Sequence, residues 1–187
     1  AETELMLSDR PIRLKQMTSY PYEGDVTITT ETDGRYTIAA RIPGWCRKYD
    51  ILVNGCKAEF RLEKGYAYVE RDWKAGDSLQ LKYSMETRLV EANPKVIDAC
   101  GRAAVMYGPC VLCAEGMDIR IDRGAQFEMR MEILEGISVP VFYGNAFVRR
   151  PFDGLYTEHP AEEEVIPLRL IPYFAWANRG ITEMTTW

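Results

Sequence analysis

The 187-residue sequence predicts an all-β protein built from two consecutive antiparallel β-sandwich domains with jelly-roll-like topology. Three observations predict this fold. Apolar and polar residues alternate with period two over much of the chain, dipeptides suited to tight turns separate the runs, and no segment has a convincing amphipathic helix of three turns. Short strands with turn signals at roughly 8 to 12 residue spacing are typical of sandwiches and barrels rather than of a parallel βαβ sheet.

The first half shows the strand pattern most clearly over residues 78–85, where every second residue is apolar. Half-buried strands have this pattern because successive side chains point to opposite faces. The dipeptides Asp33-Gly34 and Asn54-Gly55 suit two-residue hairpin turns, which need positive φ. We therefore expect successive strands to pair as antiparallel hairpins.

The second half contains further predicted elements. Residues 126–135 fit period two as well as period 3.6 and lie between glycines at strand-like length, so we predict a strand there. Long apolar runs cover residues 137–148 and 166–177. The acidic run at residues 162–164 is predicted to be a solvated loop.

The domain boundary is predicted from the polar, proline-containing stretch at residues 91–100, which precedes a more apolar run. We place it near Cys100, to within about ten residues. The first sandwich then spans residues 1–99 and the second spans residues 100–187.

Composition limits the classes of partner. A net charge of −5 and a pI near 5.1 disfavour nucleic-acid binding, which relies on clustered Lys and Arg. No window approaches the roughly 20 apolar residues that cross a bilayer, so no membrane partner is expected. The chain starts with neither a signal core nor an initiator Met, and we expect it to be part of a longer protein. The compartment stays open.

The five cysteines are an odd number, so at least one thiol is free, which favours a reducing compartment or buried thiols. Cys110 and Cys113 form a Cys-x-x-Cys sequence on a predicted strand, where positions three apart point to opposite faces. Cys46, Cys56 and Cys100 supply no matching second pair at a recognisable spacing. We expect apolar, buried thiols and no metal site.

Candidate catalytic residues give weak signals. The one histidine, His159, lies in a polar loop without a nucleophile elbow, so we expect an exposed imidazole. Glycosidases use two carboxylates across the scissile bond. Among 28 Asp and Glu residues, choosing Glu91 with Asp98, or Asp72 with Asp77, would be arbitrary. We expect these acids to face solvent on strand edges and turns.

Aromatic residues are better candidates for contact with a ligand or another domain. Trp45 follows a Pro-Gly pair at the end of a predicted strand, and Trp176 lies in an aromatic run that begins at Tyr173. Such rings stack on sugars or lie at interfaces, and the competing interpretation is that they fill the sandwich. Trp73 is expected to cap a core at a strand end.

Short motifs follow one another in a distinctive order along the chain. They are Tyr20-Pro21-Tyr22-Glu23-Gly24, Arg41-Ile42-Pro43-Gly44-Trp45-Cys46, Val53-Asn54-Gly55, Gly65-Tyr66, Trp73-Lys74-Ala75-Gly76-Asp77, residues 102–115 and residues 171–180. Each motif alone is weak, but their collinear order is a strong signal. In this order, the motifs resemble the C-terminal portion of the β-L-arabinofuranosidase-like enzymes of glycoside hydrolase family 127.

The resemblance implies an N-terminal (α/α) barrel in which a zinc-associated cysteine is the nucleophile and a glutamate is the acid/base on an arabinofuranoside. The segment that carries this nucleophile would precede Ala1. No cysteine here has matching neighbours, so no catalytic role passes to Cys46 or Cys113. We expect no cofactor in this region and place zinc only in the barrel.

We therefore predict a non-catalytic accessory region that packs against its own N-terminal barrel. Arg41, Trp45, Tyr173 and Trp176 are the predicted contacts with that domain or with carbohydrate, and we predict no catalytic or metal-binding residue. An apolar face left exposed without the barrel would also allow self-association into a homo-oligomer.

Two alternatives stay open. The first is an independent carbohydrate-binding module that holds a polysaccharide on exposed rings. The second is a self-contained hydrolase, which needs two carboxylates facing each other at about 5 to 10 Å.

Overall fold

The computed structural model describes residues 1–8, 10–99, 102–115, 119–122, 124–134, 136–150, 152–159, 162–177 and 183–186. The chain divides into two compact units, Ala1–Glu86 and Thr87–Trp187. Both are built from antiparallel strands, and the helices in the described ranges are two short 3₁₀ segments, Ile97–Ala99 and Tyr173–Ala175. Neither is long and apolar enough to cross a membrane. The predicted all-β fold with sandwich domains is confirmed.

The first unit is a sandwich of two sheets. Its described strands are β1 (Glu2–Leu7), β2 (Arg10–Thr18), β3 (Asp25–Thr30), β4 (Gly34–Arg41), β5 (Tyr49–Val53), β6 (Cys56–Lys57), β7 (Arg61–Glu63), β8 (Tyr66–Trp73) and β9 (Ser78–Tyr83). The large sheet has the order β1-β2-β3-β9-β5-β6, and the small sheet has the order β4-β8-β7. Alternate residues of both sheets, such as Ile38, Val69 and Leu79, form one buried core.

Trp73 confirms the expectation of a ring that caps the core at a strand end. It is the last residue of β8 and is 0% exposed. Its indole N–H donates to the carbonyl of Tyr36 at 3.0 Å, so the buried polar atom has a partner.

One of the two hairpin predictions is confirmed and the other is wrong. Asn54-Gly55 is the two-residue loop between β5 and β6, with φ of 50° and 80°. Asp33-Gly34 instead leads from β3 in the large sheet to β4 in the small sheet. The reason is that β3 is already paired on both sides, by β2 and β9, so the next strand has to pair elsewhere.

The second unit is one antiparallel sheet that curls over itself. Its described strands are β10 (Thr87–Glu91), β11 (Ala103–Tyr107), β12 (Cys110–Glu115), β13 (Ile119–Arg120), β14 (Glu128–Leu134), β15 (Ile137–Arg149), β16 (Glu163–Pro172) and β17 (Met184–Thr185). The order is β10-β11-β12-β16-β15-β13, with β14 paired to β15 and β17 to β12. Two strands separate β11 from β15, yet the rings of Tyr107 and Phe142 on them lie 4.9 Å apart. The sheet therefore encloses a core.

The division between the units differs from the boundary that we predicted near Cys100, a residue outside the described ranges. It falls between Glu86 and Thr87. The reason is that residues 87–91 form β10, which pairs with β11 and so belongs to the second unit. The polar stretch that we interpreted as a boundary follows this strand and contains the 3₁₀ segment Ile97–Ala99.

The acidic run differs in part from the predicted loop: Glu162 lies outside a strand, but the two glutamates that follow it do not. Glu163 and Glu164 begin β16 and pair with the end of β15. Their side chains are exposed and make ion pairs, Glu163 with Arg120 at 2.7 Å and Glu164 with Arg150 at 3.2 Å. The strand predicted within residues 126–135 is confirmed as β14.

Candidate functional site

Trp45 lies in a fixed turn between β4 and β5 of the first unit. The amide of Cys46 donates to the carbonyl of Pro43 at 3.0 Å and closes the turn. The buried Cys46 thiol donates to the carbonyl of Lys48 at 3.1 Å, which anchors the chain immediately after Trp45. Burial is the main reason that the pKa of Cys46 is raised, so this thiol stays protonated.

Two tyrosines pack against Trp45, and we call Tyr20, Trp45 and Tyr83 the Trp45 cluster. The Trp45 ring stacks on Tyr20, with centroids 6.4 Å apart and an angle of 21°, and meets the edge of Tyr83 at 6.2 Å. Tyr83 is 9% exposed, Trp45 is half-buried and Tyr20 is 37% exposed. The cluster therefore extends from the core to the surface, and each ring pair adds about 0.5–1.5 kcal/mol beyond its buried area.

Tyr83 is held from two sides. Its hydroxyl donates to the carbonyl of Arg41 at 2.7 Å, and its amide donates to the carbonyl of Gly24 at 2.9 Å. A Cβ at position 24 would lie 1.9 Å from the Tyr83 carbonyl oxygen, so only glycine fits there. Burial raises the pKa of Tyr83 to about 12, and the phenol is therefore a neutral donor at ordinary pH.

Arg41 is exposed and ends β4 beside the Trp45 turn. Its guanidinium lies 5.6 Å from the ring centroid of Tyr66, the residue that pairs with Arg41 on the neighbouring strand β8. In a similar contact on the same sheet, the Arg61 guanidinium lies 4.5 Å from the ring centroid of Tyr68. The structure thus links the two predicted residues of the first unit: the Arg41 carbonyl supports the Trp45 cluster, and its side chain covers a neighbouring tyrosine.

Tyr173 and Trp176 lie together in the second unit, and we call them the Tyr173 pair. The 3₁₀ turn after β16 brings the Trp176 amide within 3.1 Å of the Tyr173 carbonyl, and their rings stack with centroids 6.4 Å apart at 20°. Tyr173 is 48% exposed, and its neighbour Phe174 is 47% exposed. Residues 178–180 of this motif fall outside the described ranges.

The described thiols and imidazole do not form a metal site. His159 is exposed, as predicted. Cys110 and Cys113 are both buried; burial raises the pKa of both thiols, that of Cys113 to about 11. Within the described ranges, no three His, Cys, Asp or Glu residues are grouped closely enough to hold an ion.

The four acids considered as catalytic pairs differ in exposure and in hydrogen bonding. Glu91, Asp98 and Asp72 are exposed, as predicted. Asp77 is half-buried and accepts hydrogen bonds from the Lys74 amide at 3.0 Å and from the Asn54 side chain at 2.8 Å. These donors lower the pKa of Asp77. Asp77 therefore joins two turns of the first unit.

A polar network on the second unit was not predicted, because no local sequence pattern indicates it. Arg169 forms ion pairs with Glu132 at 2.8 Å and with Glu115 at 3.8 Å. The Tyr143 hydroxyl donates a hydrogen bond to Glu132. The Tyr143 hydrogen bond, followed by Arg169, lowers the pKa of Glu132. The four residues lie on four different strands, and only the strand register brings them together. An ionised carboxylate held in this way suits a structural ion pair better than a proton-donating acid.

Comparison with known proteins assigns both units. Residues 1–85 match the family model described as the β-L-arabinofuranosidase, GH127 middle domain, and residues 87–187 match the glycoside hydrolase family 127 C-terminal domain. The chain belongs to glycoside hydrolase family 127. The resemblance predicted from the motifs is therefore confirmed.

Family 127 relatives are considerably longer than this chain. The non-reducing end β-L-arabinofuranosidase of Bifidobacterium longum subsp. longum is 33% identical to this chain in an alignment that covers 92% of this chain and 30% of that enzyme. Ara127N, a GH127 β-L-arabinofuranosidase from Geobacillus stearothermophilus T6, has a TM-score of 0.90 and 34% identity over 100% of this chain and 32% of its own.

Another solved structure, a GH127 β-arabinofuranosidase, has a TM-score of 0.89 and 30% identity and covers 100% of this chain and 33% of its own. The chain thus spans about a third of the length of these relatives.

Proposed function

We propose that this chain is the non-catalytic, structural region of a family 127 glycoside hydrolase and packs against an N-terminal (α/α) barrel that carries the catalytic groups. The observation that carries the proposal is the match to the middle and C-terminal domain models over a chain about a third as long as its relatives. Most of each relative therefore lies outside the matched region.

The state of the polar groups supports a structural role. Asp77 holds two turns together, and Glu132 is held by Tyr143 and Arg169. The Cys113 thiol is buried and protonated at neutral pH. Each group is engaged in stabilising its own unit, and we propose that zinc and the nucleophile belong to the barrel.

The Trp45 cluster is the proposed contact with the barrel or with the rim of its substrate cleft. Domain interfaces favour aromatic side chains, which bury large areas with few rotatable bonds, and arginine, whose planar guanidinium donates several hydrogen bonds. Trp45 and Tyr20 retain exposed surface, while Tyr83 holds them rigidly from the core side. A contact that covers the two outer rings would find them already ordered.

Deletion in the full-length enzyme tests this proposal. Removing the region that corresponds to residues 1–187 is expected to lower the Tm of the remaining barrel and to reduce its turnover. Trp45→Ala in the intact enzyme is expected to do the same to a smaller degree, with Tyr156→Ala as the control, because Tyr156 is 91% exposed. Unchanged stability and kinetics after the deletion would refute the structural role.

One observation favours a second candidate function, which is contact with carbohydrate. Tyr173 is half-exposed and stacks on Trp176, and stacked rings of this kind provide a platform for a sugar face. Calorimetric titration of the chain with arabino-oligosaccharides is then expected to show binding that Tyr173→Ala removes and Tyr156→Ala retains. Absence of binding to any glycan on an array would eliminate this candidate.

A further inference from the structure

The first strand of the large sheet extends beyond the core of its unit. All six residues of β1 are exposed, whereas Ile12 on the adjacent β2 is only 6% exposed. Among the described strands, β1 pairs with β2 alone and is the edge of the sheet. An edge strand that is uncovered on both faces is a hazard for aggregation, and proteins usually cover or protect such strands.

The two faces of β1 have different chemistry. The register places Leu5 opposite Ile12, a core residue, so Leu5 and Leu7 lie on the face that continues the core. They are nevertheless 54% and 50% exposed. Arg10 of β2 donates to the carbonyl of Asp33 at 3.1 Å, just before β4 begins. The edge of the small sheet therefore meets β2, and β1 lies outside it.

The opposite face of β1 is adapted to water. Glu2 pairs with Lys15 at 2.8 Å, and Glu4 pairs with Arg13 at 2.6 Å. All four side chains are well exposed, as expected for surface ion pairs. Met6, which is 67% exposed, lies on this same face. One face of β1 thus carries two ion pairs and a methionine and the other carries two leucines, which is closer to the pattern of a strand covered on a single side than to that of a strand exposed on both.

We propose that the leucine face of β1, formed by Leu5 and Leu7, is covered by the domain that precedes the middle domain in the full-length enzyme. This inference rests on the proposed function. Residues 1–85 match the family's middle domain, a description that places another domain before it, and about two thirds of each relative lies outside the matched region. β1 is the first described strand of the region that matches the middle-domain model, so a domain that precedes this region in the full-length enzyme would connect to it beside this face. Tethering in one chain gives the contact a high effective concentration.

Photo-cross-linking in the full-length enzyme tests the inference. p-Benzoyl-L-phenylalanine replaces Leu5 in one variant and Met17 in the control, since Met17 is 64% exposed on the charged side of β2. Position 5 is expected to cross-link within one chain to a peptide of the preceding domain, and position 17 is not. A cross-link from position 5 to a second chain or to residues 87–187 would overturn the inference.

Hydroxyl-radical footprinting of the unsubstituted enzyme provides a second readout that does not depend on the bulky probe. Leu5 and Leu7 are expected to be modified several-fold more slowly in the folded enzyme than in the unfolded enzyme, while Met17 keeps most of its reactivity. Equal reactivity of the leucines in both states would overturn the inference. If that result is found while deletion of the whole region still lowers Tm and turnover, the assignment of the leucine face fails but the proposed structural role stands.

Discussion

The hydroxyl of Tyr83 donates a hydrogen bond of 2.7 Å to the carbonyl of Arg41, which joins the last residue of β9 to the last residue of β4. The two strands belong to different sheets of the first unit. The bond therefore ties the sheets together beside the turn that carries Trp45. This buried phenol therefore contributes both to the packing of the two sheets and to the position of Trp45.

Tyr83→Phe is expected to lower the free energy of unfolding by about 1 kcal/mol, because the Arg41 carbonyl loses its donor while the ring still packs. Urea denaturation at pH 7 measures the change. Tyr156→Phe is the control, since Tyr156 is 91% exposed, and should stay within about 0.5 kcal/mol of the parent. Equal effects of the two substitutions would show that the hydrogen bond does not stabilise the unit.

Tyr83 also predicts a dependence of stability on alkaline pH. Burial raises the pKa of Tyr83 to about 12, above the value of about 10 in an unfolded chain. The unfolded state therefore loses its proton first, so the stabilisation is complete below about pH 10 and is lost as the pH rises towards 12. Denaturation between pH 9 and 12 should show a shallower decline for Tyr83→Phe. An identical decline would contradict the buried neutral phenol.

Gly24→Ala is expected to destabilise the first unit by about 1–3 kcal/mol, because the new Cβ would lie 1.9 Å from the Tyr83 carbonyl oxygen. Gly44→Ala is a matched control in the Trp45 turn, since no heavy atom lies within 4 Å of its added Cβ. That variant should be neutral or slightly stabilised, by up to about 1 kcal/mol. Thermal unfolding measures the stability of both variants. A Gly24→Ala variant as stable as the parent would contradict the close approach of position 24 to the Tyr83 carbonyl.

Arg169→Met is expected to destabilise the second unit by about 1–3 kcal/mol, because half-buried Glu132 loses a charged partner. The exposed fractions of the two side chains are 27% and 29%. Arg150→Met is the control: Arg150 is 58% exposed and pairs with Glu162 and Glu164, so its loss should cost at most about 1 kcal/mol. Denaturant titrations that give equal losses would show that the network adds nothing beyond a surface ion pair.

Local sequence signals predicted the strands well and their partners less well. Period-two alternation identified β9, and the Asn54-Gly55 dipeptide identified a hairpin, because both signals act between neighbours in the chain. Asp33-Gly34 has similar local chemistry, yet it connects two sheets, since β3 already has two partners. Glu163 and Glu164 are in a strand because the long β15 extends far enough to pair with them.

The candidate site was predicted in part. The position of Trp45 in a turn followed from the sequence, but its packing on Tyr20 and Tyr83 depends on elements distant in the chain. Residues Tyr20 to Gly24 gave a family signal, and the structure supplies the reason for it at Gly24, which touches the Tyr83 backbone. That Arg41, Trp45, Tyr173 and Trp176 contact the barrel or a sugar stays a prediction, because the surface they would touch is outside this chain.

The proposed non-catalytic role of this region is tested most directly by assaying turnover of a chromogenic β-L-arabinofuranoside with the 187-residue chain alone and with the full-length enzyme at equal molarity. The full-length enzyme is expected to hydrolyse the substrate, and the chain alone is expected to match the uncatalysed rate. Turnover by the chain alone that disappears when Asp72 is replaced in Asp72→Asn would contradict a structural role and establish a hydrolase within these two units.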